Sequence, residues 1–517
     1  MSGRILDGRA HATDTTLHCD VCVVGSGAGG SVLAERLVAR GLDVVMLEEG
    51  GYWTRRSFDG REDLAYARLY QELGNRATDD QSVSILQGRN VGGGTTVNWC
   101  TCFRTPRAVL DRWKDQFGIQ GLDEAALTPH WEAIEQRLHI SEWPAERMNA
   151  NNRVLWDGCG KLGYGRGLIR RNVHNCANLG FCGVGCPVDA KMAMNVTLIP
   201  DAVEKGMTVQ ANASARRLLV GPRRVEGVEA QLLDPETDRP TGVKLTVRSK
   251  AVAVCGGAIN SPALLLRSGL DGNGNVGKRL FLHPVVFMSA VMAEMVEPWS
   301  GAPQAAYSRH FIDRGPGKLG FFLEVPPVMP LLAATFFPGE GDRHQALLEQ
   351  LPFTQTTIAL CVDGVLPDDV GGTIRLKNPT ERRVSIDYPL RPFHFEVFKA
   401  ACKEMARIQL AAGAREVRSL HAVPVRMTRV EEVEGALDRA PWEPGRVKVG
   451  TAHQMGGCGM GLDSRTSVVD SQLRYHGLDN LFVVDGSVLP TALGVNPQET
   501  IFGIARWASQ FVAAGAA

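Results

Sequence analysis

The clearest chemical signature in the chain is a glycine pattern suited to holding a pyrophosphate. Gly25, Gly27 and Gly30 are spaced as Gly-x-Gly-x-x-Gly, with Ser26 inside the pattern and Glu48 further along the chain. The first glycine permits a tight turn, the second lets the backbone approach a pyrophosphate, and the third lets a helix pack closely on a strand. An acid at the position of Glu48 can hold a ribose hydroxyl. The pattern predicts a dinucleotide site but does not distinguish FAD from NAD.

A strand, a helix and a second strand must position these residues, and the flanking sequence predicts all three. Residues 19–24 form a short apolar run typical of a buried strand, residues 31–40 have a helical pattern that ends before Gly41, and residues 43–47 predict the second strand. A helix N-terminus offers free N–H groups and a positive dipole end to phosphates. This context favours a nucleotide-binding unit over a glycine-rich turn without a ligand.

A second chemical candidate is a loop with three cysteines, Cys176, Cys182 and Cys186, the last followed by Pro187. Closely spaced thiolates followed by proline are typical of iron–sulfur ligation. A loop of small residues and buried cysteines can also pack tightly without a metal, because a buried thiol behaves as a small hydrophobe. The spacing alone leaves both interpretations open.

The composition is that of a globular enzyme. A chain of 517 residues predicts two domains, or one large domain with an insertion. Lys and Arg together number 56, as do Asp and Glu, so a net charge of zero argues against nucleic acid or a strongly anionic membrane as a partner. The first residues lack the apolar run of an export signal, and we expect a cytoplasmic protein whose 12 cysteines are thiols or metal ligands.

Further motifs follow in a characteristic order. Residues 87–98 and 251–262 each hold a glycine-rich turn, and the end of the chain holds Thr-Ala-His-Gln-Met-Gly-Gly-Cys at 451–458, Val-Val-Asp-Gly-Ser-Val-Leu-Pro at 483–490 and Gly-Val-Asn-Pro at 494–497. In this order the motifs resemble the glucose–methanol–choline (GMC) family of flavoprotein oxidoreductases, over almost the whole chain. The motifs His-Gln-Met-Gly and Gly-Val-Asn-Pro look most like its long-chain alcohol oxidase branch.

The resemblance implies an α/β fold in which a Rossmann-like FAD-binding domain is interleaved with a substrate domain. The substrate domain is expected to consist of an antiparallel sheet covered by helices. We expect residues 15–102, 195–282 and 449–517 to form the FAD-binding domain, and residues 103–194 and 283–448 to form the substrate-binding domain.

The resemblance also implies non-covalent FAD. Some family members attach the flavin through a histidine just before the asparagine that matches Asn98, and here that position is Val97. Besides Gly25, Ser26, Gly27, Gly30 and Glu48, the resemblance places these residues at the cofactor: Gly88, Gly93, Gly94, Asn98, Asp485, Gly486 and Pro497.

Catalysis is assigned by the resemblance to His453 and Asn496. Oxidation of an alcohol removes a proton from oxygen as hydride leaves carbon, and the pKa of histidine suits a base for that proton. His453 matches the family's base, which faces the flavin N5, and the amide of Asn496 can hold the substrate oxygen. His283 is interpreted as a structural or supporting residue. Pro497 predicts a helix through Ser509 whose N-terminus would stabilise negative charge on the N1–C2 edge of the flavin.

The loop of Cys176, Cys182 and Cys186 also resembles one in catalytic subunits of FAD-dependent glucose dehydrogenases, where three cysteines hold a [3Fe–4S] cluster. Such a cluster would pass electrons from the flavin to an external acceptor. Long-chain alcohol oxidases have a similar loop without iron. Both interpretations therefore stay open, as does the choice between oxygen and another electron acceptor.

The sequence thus predicts FAD-dependent oxidation of a hydrophobic alcohol, with long-chain alcohols among the candidates, to an aldehyde or ketone. The apolar residues 325–337 are either core or a mouth for a lipophilic substrate, and contact with a membrane surface is left open; residues 371–377 and 383–388 predict paired strands. The first alternative is an iron–sulfur-assisted alcohol or sugar dehydrogenase. A remote alternative is a flavin-dependent lyase or photodecarboxylase, for which Cys361 and Arg375 are the candidates in the substrate domain.

Overall fold

A computed structural model describes residues 3–378 and 381–517. Its strands are β1 (Arg4–Leu6), β2 (Thr15–Val24), β3 (Val44–Leu47), β4 (Val83–Ile85), β5 (Thr101–Cys102), β6 (Ile140–Glu142), β7 (Gly167–Leu168), β8 (Arg170–Asn172), β9 (Thr208–Gln210), β10 (Ala213–Val220), β11 (Val225–Leu233), β12 (Pro240–Val254), β13 (Lys278–Leu280), β14 (Val285–Val291), β15 (Ala306–Ser308), β16 (Phe321–Glu324), β17 (Thr354–Cys361), β18 (Gly372–Leu376), β19 (Val384–Asp387), β20 (Glu416–Ser419), β21 (Arg426–Met427), β22 (Val449–Thr451) and β23 (Leu481–Val483).

Its helices are α1 (Ala28–Val38), α2 (Glu62–Leu69), α3 (Gly94–Val97), α4 (Arg107–Phe117), α5 (Glu124–Arg137), α6 (Ala150–Lys161), α7 (Leu198–Glu204), α8 (Gly257–Arg267), α9 (Pro330–Phe336), α10 (Gly341–Glu349), α11 (Pro392–Ala411), α12 (Glu432–Asp438) and α13 (Gln498–Gly515). Short 3₁₀ helices lie at Arg55–Ser57, Gln71–Gly74, Ala145–Arg147, Phe181–Val184, Leu351–Phe353 and Gly486–Val488. None of the helices within residues 3–378 and 381–517 is both long and apolar enough to cross a membrane.

A mostly parallel sheet surrounds the dinucleotide motif. Its order is β1-β9-β3-β2-β12-β11-β10, with β23 paired to β12. β2 lies between β3 and β12, in parallel with both. The last residues of β2, 21–24, are all buried, as expected for a strand covered on both faces. The turns after β2 and β12 therefore meet at one edge of the sheet, where ligands bind in open α/β sheets.

The first helix begins earlier than the sequence pattern predicted. α1 starts directly after Gly27, which is its N-cap, and the N–H of Ser31 already donates to the Gly27 carbonyl. The extended backbone of Gly27 lets the chain turn from strand to helix without an intervening loop. The N–H groups of the first turn consequently lie beside the glycine pattern.

A second sheet is built mainly of antiparallel strands, in the order β21-β20-β14-β17-β16-β15-β7, with β22 joined to β14 and β4 to β22. Helix α11 contacts β14, β17 and β20 and buries Val397, Phe398, Ala401 and Met405. Every residue of β17 is buried, because α11 and α6 both contact this strand and neighbouring strands flank it.

The strands predicted at 371–377 and 383–388 are confirmed as β18 and β19, which pair antiparallel. They belong to a small separate sheet with β13 and not to the large antiparallel sheet. The α/β fold class, with its Rossmann-like unit and an antiparallel sheet covered by helices, is confirmed. The division into two interleaved domains stays a prediction, and β4, from the predicted FAD-binding segments, joins the antiparallel sheet through β22.

The C-terminal helix is longer than predicted. Pro497 is its N-cap and the helix continues past Ser509 to Gly515. The reason is that its apolar stripe continues: Phe502, Ala505 and Val512 are all buried on one side of α13. The helix packs against α1 and α5, which holds its N-terminus next to the glycine-rich turns.

Candidate active site

One continuous cavity of about 1230 Å³ joins the dinucleotide motif to the predicted catalytic residues. Most of the residues predicted from the sequence line it, namely Gly25, Ser26, Gly27, Glu48, Gly88, Gly93, Gly94, Asn98, His453, Asp485, Gly486, Asn496 and Pro497. Gly30 does not line the cavity. A Cβ at Gly30 would overlap the carbonyl oxygen of Gly25, so this glycine allows the helix to pack on the turn, as its place in the pattern predicts.

The glycine turns form a cradle that fits a dinucleotide. Gly25 has φ +107°, and a Cβ there would overlap the Cys255 carbonyl oxygen. Gly93 has φ +55°, and its Cβ would lie 2.8 Å from the Cα of Gly27. A Cβ at Gly27 itself would meet no atom within 4 Å, because this face of the turn is open to the cavity. The open face lies at the N-terminus of α1, where a pyrophosphate binds in such units.

Glu48 lies in the cavity wall, where Ser26 holds its side chain. Glu48 Oε2 accepts from the backbone N of Ser26 at 3.0 Å and from its Oγ at 2.7 Å, and Oε1 accepts from Gly50 N at 2.9 Å. Ser26 Oγ in turn accepts from Gly92 N at 3.0 Å. Burial raises the pKa of Glu48 above its ordinary value. This network ties the two glycine-rich segments together around one carboxyl group.

Asp485 joins two further turns of the cradle. Its Oδ2 accepts from Gly257 N at 2.8 Å and Ser261 Oγ at 2.5 Å, and its Oδ1 accepts from Ser487 N at 2.7 Å. Burial raises the pKa of Asp485. Because both oxygens are occupied, the side chain positions the start of α8 and the turn at Gly486.

The side chain of Asn98 makes its hydrogen bonds to other residues of the protein. Its Nδ2 donates to Gln498 Oε1 at 2.7 Å, and its Oδ1 accepts from Cys100 N at 3.2 Å. The bond to Gln498 fastens the end of α3 to the first turn of α13, and the bond from Cys100 holds the turn that follows α3. The polar groups of the Asn98 side chain are thus committed to positioning the two helices at the cavity.

His453 and Asn496 are brought together, as predicted, and His283 joins them. Asn496 Nδ2 lies 3.3 Å from His453 Nε2, and His453 Nδ1 lies 3.2 Å from His283 Nδ1. Burial lowers the pKa of His453 to about 4, and burial together with His453 lowers the pKa of His283 well below its usual range. Both imidazoles are therefore neutral near pH 7.

The hydrogen bonds assign the proton positions on the two rings. Asn496 Nδ2 is a donor, so His453 Nε2 is the acceptor and its Nδ1 carries the hydrogen. That hydrogen is donated to His283 Nδ1, which leaves the proton of His283 on Nε2, an atom without a hydrogen-bond partner in the described part of the chain. The lone pair of His453 Nε2 is thus directed at Asn496 and the cavity.

Local structure explains why His283 reaches this place. Its backbone has φ +48°, in the left-handed region, and the Asp363 carboxylate accepts from the backbone N of Leu282 at 2.8 Å and of His283 at 3.1 Å. Tyr388 Oη donates to the same carboxylate at 2.7 Å. The buried Asp363, whose pKa burial raises to about 7, therefore holds an unusual turn that the sequence did not reveal.

The sequence analysis missed Glu324 and Gln304. Glu324 Oε2 accepts from Gln304 Nε2 at 2.7 Å and from Asn496 Nδ2 at 3.3 Å. Both side chains line the cavity, and Glu324 is fully buried. The available signal was a single acid after the apolar residues Phe-Phe-Leu at the end of β16.

The end of the cavity away from the glycine cradle is apolar. The side chains that line it come from β14, α9 and β17 and include Phe287, Leu331, Leu332, Phe336, Ile358 and Leu360. The segment 325–337 contributes both to the core and to the cavity wall: Val328, Ala333 and Phe337 are buried in a small cluster, and Leu331 and Phe336 line the cavity. Its role toward a lipophilic substrate stays a prediction. The Glu62 carboxylate accepts from the backbone N of Leu331 and so anchors the start of α9.

The three loop cysteines are not arranged as a metal site. In the described ranges, 3–378 and 381–517, no group of three His, Cys, Asp or Glu side chains could hold a metal ion. The buried Cys182 is engaged by Cys100 and by Arg171, whose Nη2 lies 3.7 Å from its Sγ, and Cys176 Sγ accepts from the backbone N of Asn178. This arrangement does not support the prediction of iron–sulfur ligands at Cys176, Cys182 and Cys186, because the protein itself engages two of the three sulfur atoms.

Comparison with protein families decides the class of the chain. Two family models described as GMC oxidoreductase match residues 66–285 and 367–505, and a model described as NAD(P)-binding Rossmann-like domain matches residues 23–95. The chain belongs to the GMC oxidoreductase family. This GMC protein is therefore an FAD-dependent oxidoreductase, and the predicted resemblance is confirmed.

Individual relatives agree with this membership. An uncharacterized GMC-type oxidoreductase of Mycobacterium tuberculosis is 33% identical over 489 residues, which cover 94% of this chain and 74% of the relative. Long-chain-alcohol oxidase FAO1 of Arabidopsis thaliana is 28% identical over 525 residues, 96% of this chain and 67% of the relative. The crystal structure of pyridoxine 4-oxidase from Mesorbium loti shares the fold, with a TM-score of 0.71 at 21% identity, over 95% of this chain and 98% of that structure.

Proposed function

We propose that this GMC oxidoreductase oxidises a hydrophobic, long-chain alcohol to the corresponding aldehyde or ketone. The observation that carries the proposal is the position of His453 and Asn496 in the cavity wall, with His453 Nε2 3.3 Å from Asn496 Nδ2. One end of this cavity is the glycine cradle, and the other end is apolar. The similarity to the Arabidopsis long-chain-alcohol oxidase agrees with it.

The glycine cradle is the proposed site of FAD. Gly25, Gly27 and Gly93 leave the room for the pyrophosphate, and the cofactor is held non-covalently because Val97 offers no nucleophile before Asn98. When bound, FAD supplies the acceptor for the hydride that leaves the carbinol carbon. The N-terminus of α13, which begins after Pro497 in the cavity wall, favours negative charge on the neighbouring ring edge.

His453 is the proposed base for the hydroxyl proton. Its neutral ring presents the Nε2 lone pair to the cavity, while its Nδ1 hydrogen is fixed on His283. A base in this position accelerates such a reaction by about 10²- to 10⁴-fold. As the proton arrives, the imidazolium keeps its bond to His283, which stabilises it without moving the ring.

Asn496 is the proposed donor to the substrate oxygen. In this structure its Nδ2 bonds His453 Nε2, and an alcohol oxygen that enters this contact meets both the base and an amide donor. The donor stabilises the negative charge that develops on oxygen as the proton leaves. The hydroxyl is thereby oriented with its carbon toward the cofactor side of the cavity.

The apolar end of the cavity is the proposed site of the hydrocarbon chain. Each methylene group that leaves water contributes about 0.8 kcal/mol to binding. The Michaelis constant is therefore expected to fall about fourfold with each added carbon until the apolar end is filled.

A series of straight-chain alcohols added to the oxidised holoenzyme without oxygen tests the function. We expect the flavin absorbance to bleach, faster at a given concentration with longer chains, and ethers of matched length serve as controls without a hydroxyl. Admission of air then shows whether oxygen restores the colour. A yellow, folded protein that no alcohol bleaches would contradict the proposal.

Within the described residues, no contact supports the lyase, photodecarboxylase or iron–sulfur dehydrogenase that the sequence left open. Cys361 is buried in the core on β17, and Arg375 pairs with Asp387 at the surface, so neither candidate for a lyase or photodecarboxylase lines the cavity. The arrangement of the loop thiols likewise does not favour the iron–sulfur dehydrogenase. The compartment and contact with a membrane surface stay predictions.

A further inference from the structure

Lys448 is a cation without an acidic partner at the apolar end of the cavity. Its Nζ lies 4.8 Å from the ring centroid of Phe336, and both residues line the cavity wall. Within residues 3–378 and 381–517 no carboxylate pairs with Lys448, and burial alone acts on its pKa, which it lowers. The Nζ atom nevertheless keeps accessible surface. A half-buried ammonium group that has lost part of its hydration is stabilised when an anion replaces the water.

The other cationic side chains in the cavity wall already have acidic neighbours. The arginines are Arg76, Arg89, Arg267, Arg382 and Arg383, and their acidic neighbours are Glu49, Glu72 and Asp238. Lys448 differs from these arginines because it stands on an aromatic ring in an apolar wall and not among carboxylates.

The carboxylates close to the apolar end are committed to other partners. The Glu62 carboxylate accepts from the backbone N of Leu331 at 2.6 Å and of Leu332 at 3.0 Å. Asp63 pairs with Arg61 at 2.6 Å. The counter-ion of Lys448 therefore comes from outside the described part of the chain.

Strand β22 connects Lys448 to His453 along the cavity. Side chains alternate on a strand, so Val449 packs in the core, whereas Lys448 and Gly450 line the cavity. Gly450 adds no side chain to the space between the lysine and the histidine. The chain from Lys448 to His453 spans at most about 18 Å, because each residue adds no more than about 3.6 Å. A linear molecule of that length reaches both residues along the apolar wall.

We propose that the substrate is a long-chain alcohol with a carboxylate at its far end, and that Lys448 binds this carboxylate. The inference rests on the proposed alcohol oxidation. The hydroxyl group lies at His453, the methylene groups lie along Phe287 and Phe336, and the carboxylate accepts from the ammonium group of Lys448. Lys448 thus selects the substrate and takes no part in the transfer of the proton or the hydride.

A matched series of ω-hydroxy acids and their methyl esters tests the inference. Chains of about 8 to 18 carbons bracket the span between the two residues. The measured quantity is the concentration that gives half-maximal anaerobic flavin reduction, and the ratio of the ester value to the acid value reports the carboxylate. The added methyl group of the ester affects wild type and variants alike. We expect this ratio to be largest at the one chain length that reaches both Lys448 and His453.

Two substitutions of Lys448 separate its charge from its packing. Lys448→Met removes the charge and keeps an unbranched side chain, and Lys448→Arg keeps the charge. We expect the ester-to-acid ratio to fall about tenfold in the Met variant, because a charge-assisted hydrogen bond is lost, and to stay near wild type in the Arg variant. Simple 1-alcohols should keep nearly wild-type values in both variants.

Lys278→Met is the control, at an exposed lysine outside the cavity. We expect this variant to keep the wild-type ratio. The same ratio in wild type and Lys448→Met would overturn the inference. An equal loss for acid, ester and 1-alcohol in Lys448→Met would also overturn it, because Lys448 would then only pack on Phe336.

Binding of decanoate to the oxidised holoenzyme tests the carboxylate site without turnover, since this probe has no hydroxyl group. We expect calorimetry to show that wild type and Lys448→Arg bind it about tenfold more tightly than Lys448→Met. If no alcohol bleaches the flavin while this difference is present, the proposed function fails and the carboxylate site stands. If alcohols bleach the flavin but decanoate binding does not depend on Lys448, the inference fails and the proposed function stands.

Discussion

The Nδ1 atoms of His283 and His453 lie 3.2 Å apart, so the two buried imidazoles are joined by one hydrogen bond. Because His453 Nε2 accepts from Asn496, the hydrogen between the rings belongs to His453 and is accepted by His283. A residue that precedes the base by 170 positions thus sets its tautomer. This is the arrangement that a base needs, since the atom that faces the substrate must carry the lone pair.

Replacement of His283 by leucine is expected to slow anaerobic flavin reduction roughly tenfold to hundredfold, because it leaves the Nδ1 hydrogen of His453 unpaired at a cost of about 1–3 kcal/mol. His283→Gln should restore part of the rate, since its amide oxygen can accept the same hydrogen. Stopped-flow absorbance of the flavin measures both. His421→Leu is the control, a buried imidazole that does not contact His453. Equal rates in the Leu and Gln variants would mean that His283 only fills space.

Replacement of His453 by alanine is expected to leave FAD bound and to slow flavin reduction about 10²- to 10⁴-fold, because the base is lost while the cradle is intact. In wild type, kcat/KM for the alcohol should rise with pH through about 4, since burial lowers the pKa of His453 and only the neutral ring accepts a proton. The visible spectrum and a pH series of reduction rates check the two statements. Unchanged reduction in the variant would exclude His453 as the base.

Replacement of Gly27 by alanine is expected to weaken FAD binding without preventing folding. The added Cβ meets no protein atom within 4 Å, so the apoprotein should keep its thermal midpoint, but the Cβ occupies the open face of the cradle. Flavin released on dilution, followed by its fluorescence, measures the loss. Gly165→Ala is the control at a site outside the cavity, where the nearest atom lies 4.0 Å away. Wild-type retention of FAD in the Gly27 variant would place the pyrophosphate elsewhere.

Replacement of Phe336 by alanine is expected to raise the KM for long alcohols and to leave short ones nearly unchanged. Phe336 packs edge-on against Phe287, with ring centroids 4.6 Å apart, and both rings line the apolar end of the cavity. Loss of this large, partly buried side chain from the wall should raise KM for the longest alcohols about tenfold. Phe353→Ala, at a partly exposed ring outside the cavity, is the control. If the variant had the wild-type KM at every alcohol length, the hydrocarbon chain of the substrate would bind elsewhere.

Short motifs were enough to predict the cofactor unit and the pair of His453 and Asn496, which the structure brings together. Gly25, Gly27 and Gly30 act within one turn, where φ and close approach depend on neighbouring residues, so their spacing was informative by itself. His453 and Asn496 each stand in a compact motif whose residue types identified the family. Element limits were less well determined. α1 begins earlier than predicted because the backbone of Gly27 turns directly into the helix, and α13 continues past Ser509 because its apolar stripe continues.

Only the tertiary structure decided the surroundings of that pair. Glu324 meets Asn496 across 172 positions of the chain, and Cys182 contacts Cys100 and Arg171, which lie outside its loop or far along the chain from it. Contacts between residues far apart in the chain arise where separate sheets and helices pack, and a residue's type does not reveal which distant atom will face it. The sequence therefore determined which groups were available for chemistry, and the packing decided which of them meet, which are buried and which protonation state each one holds.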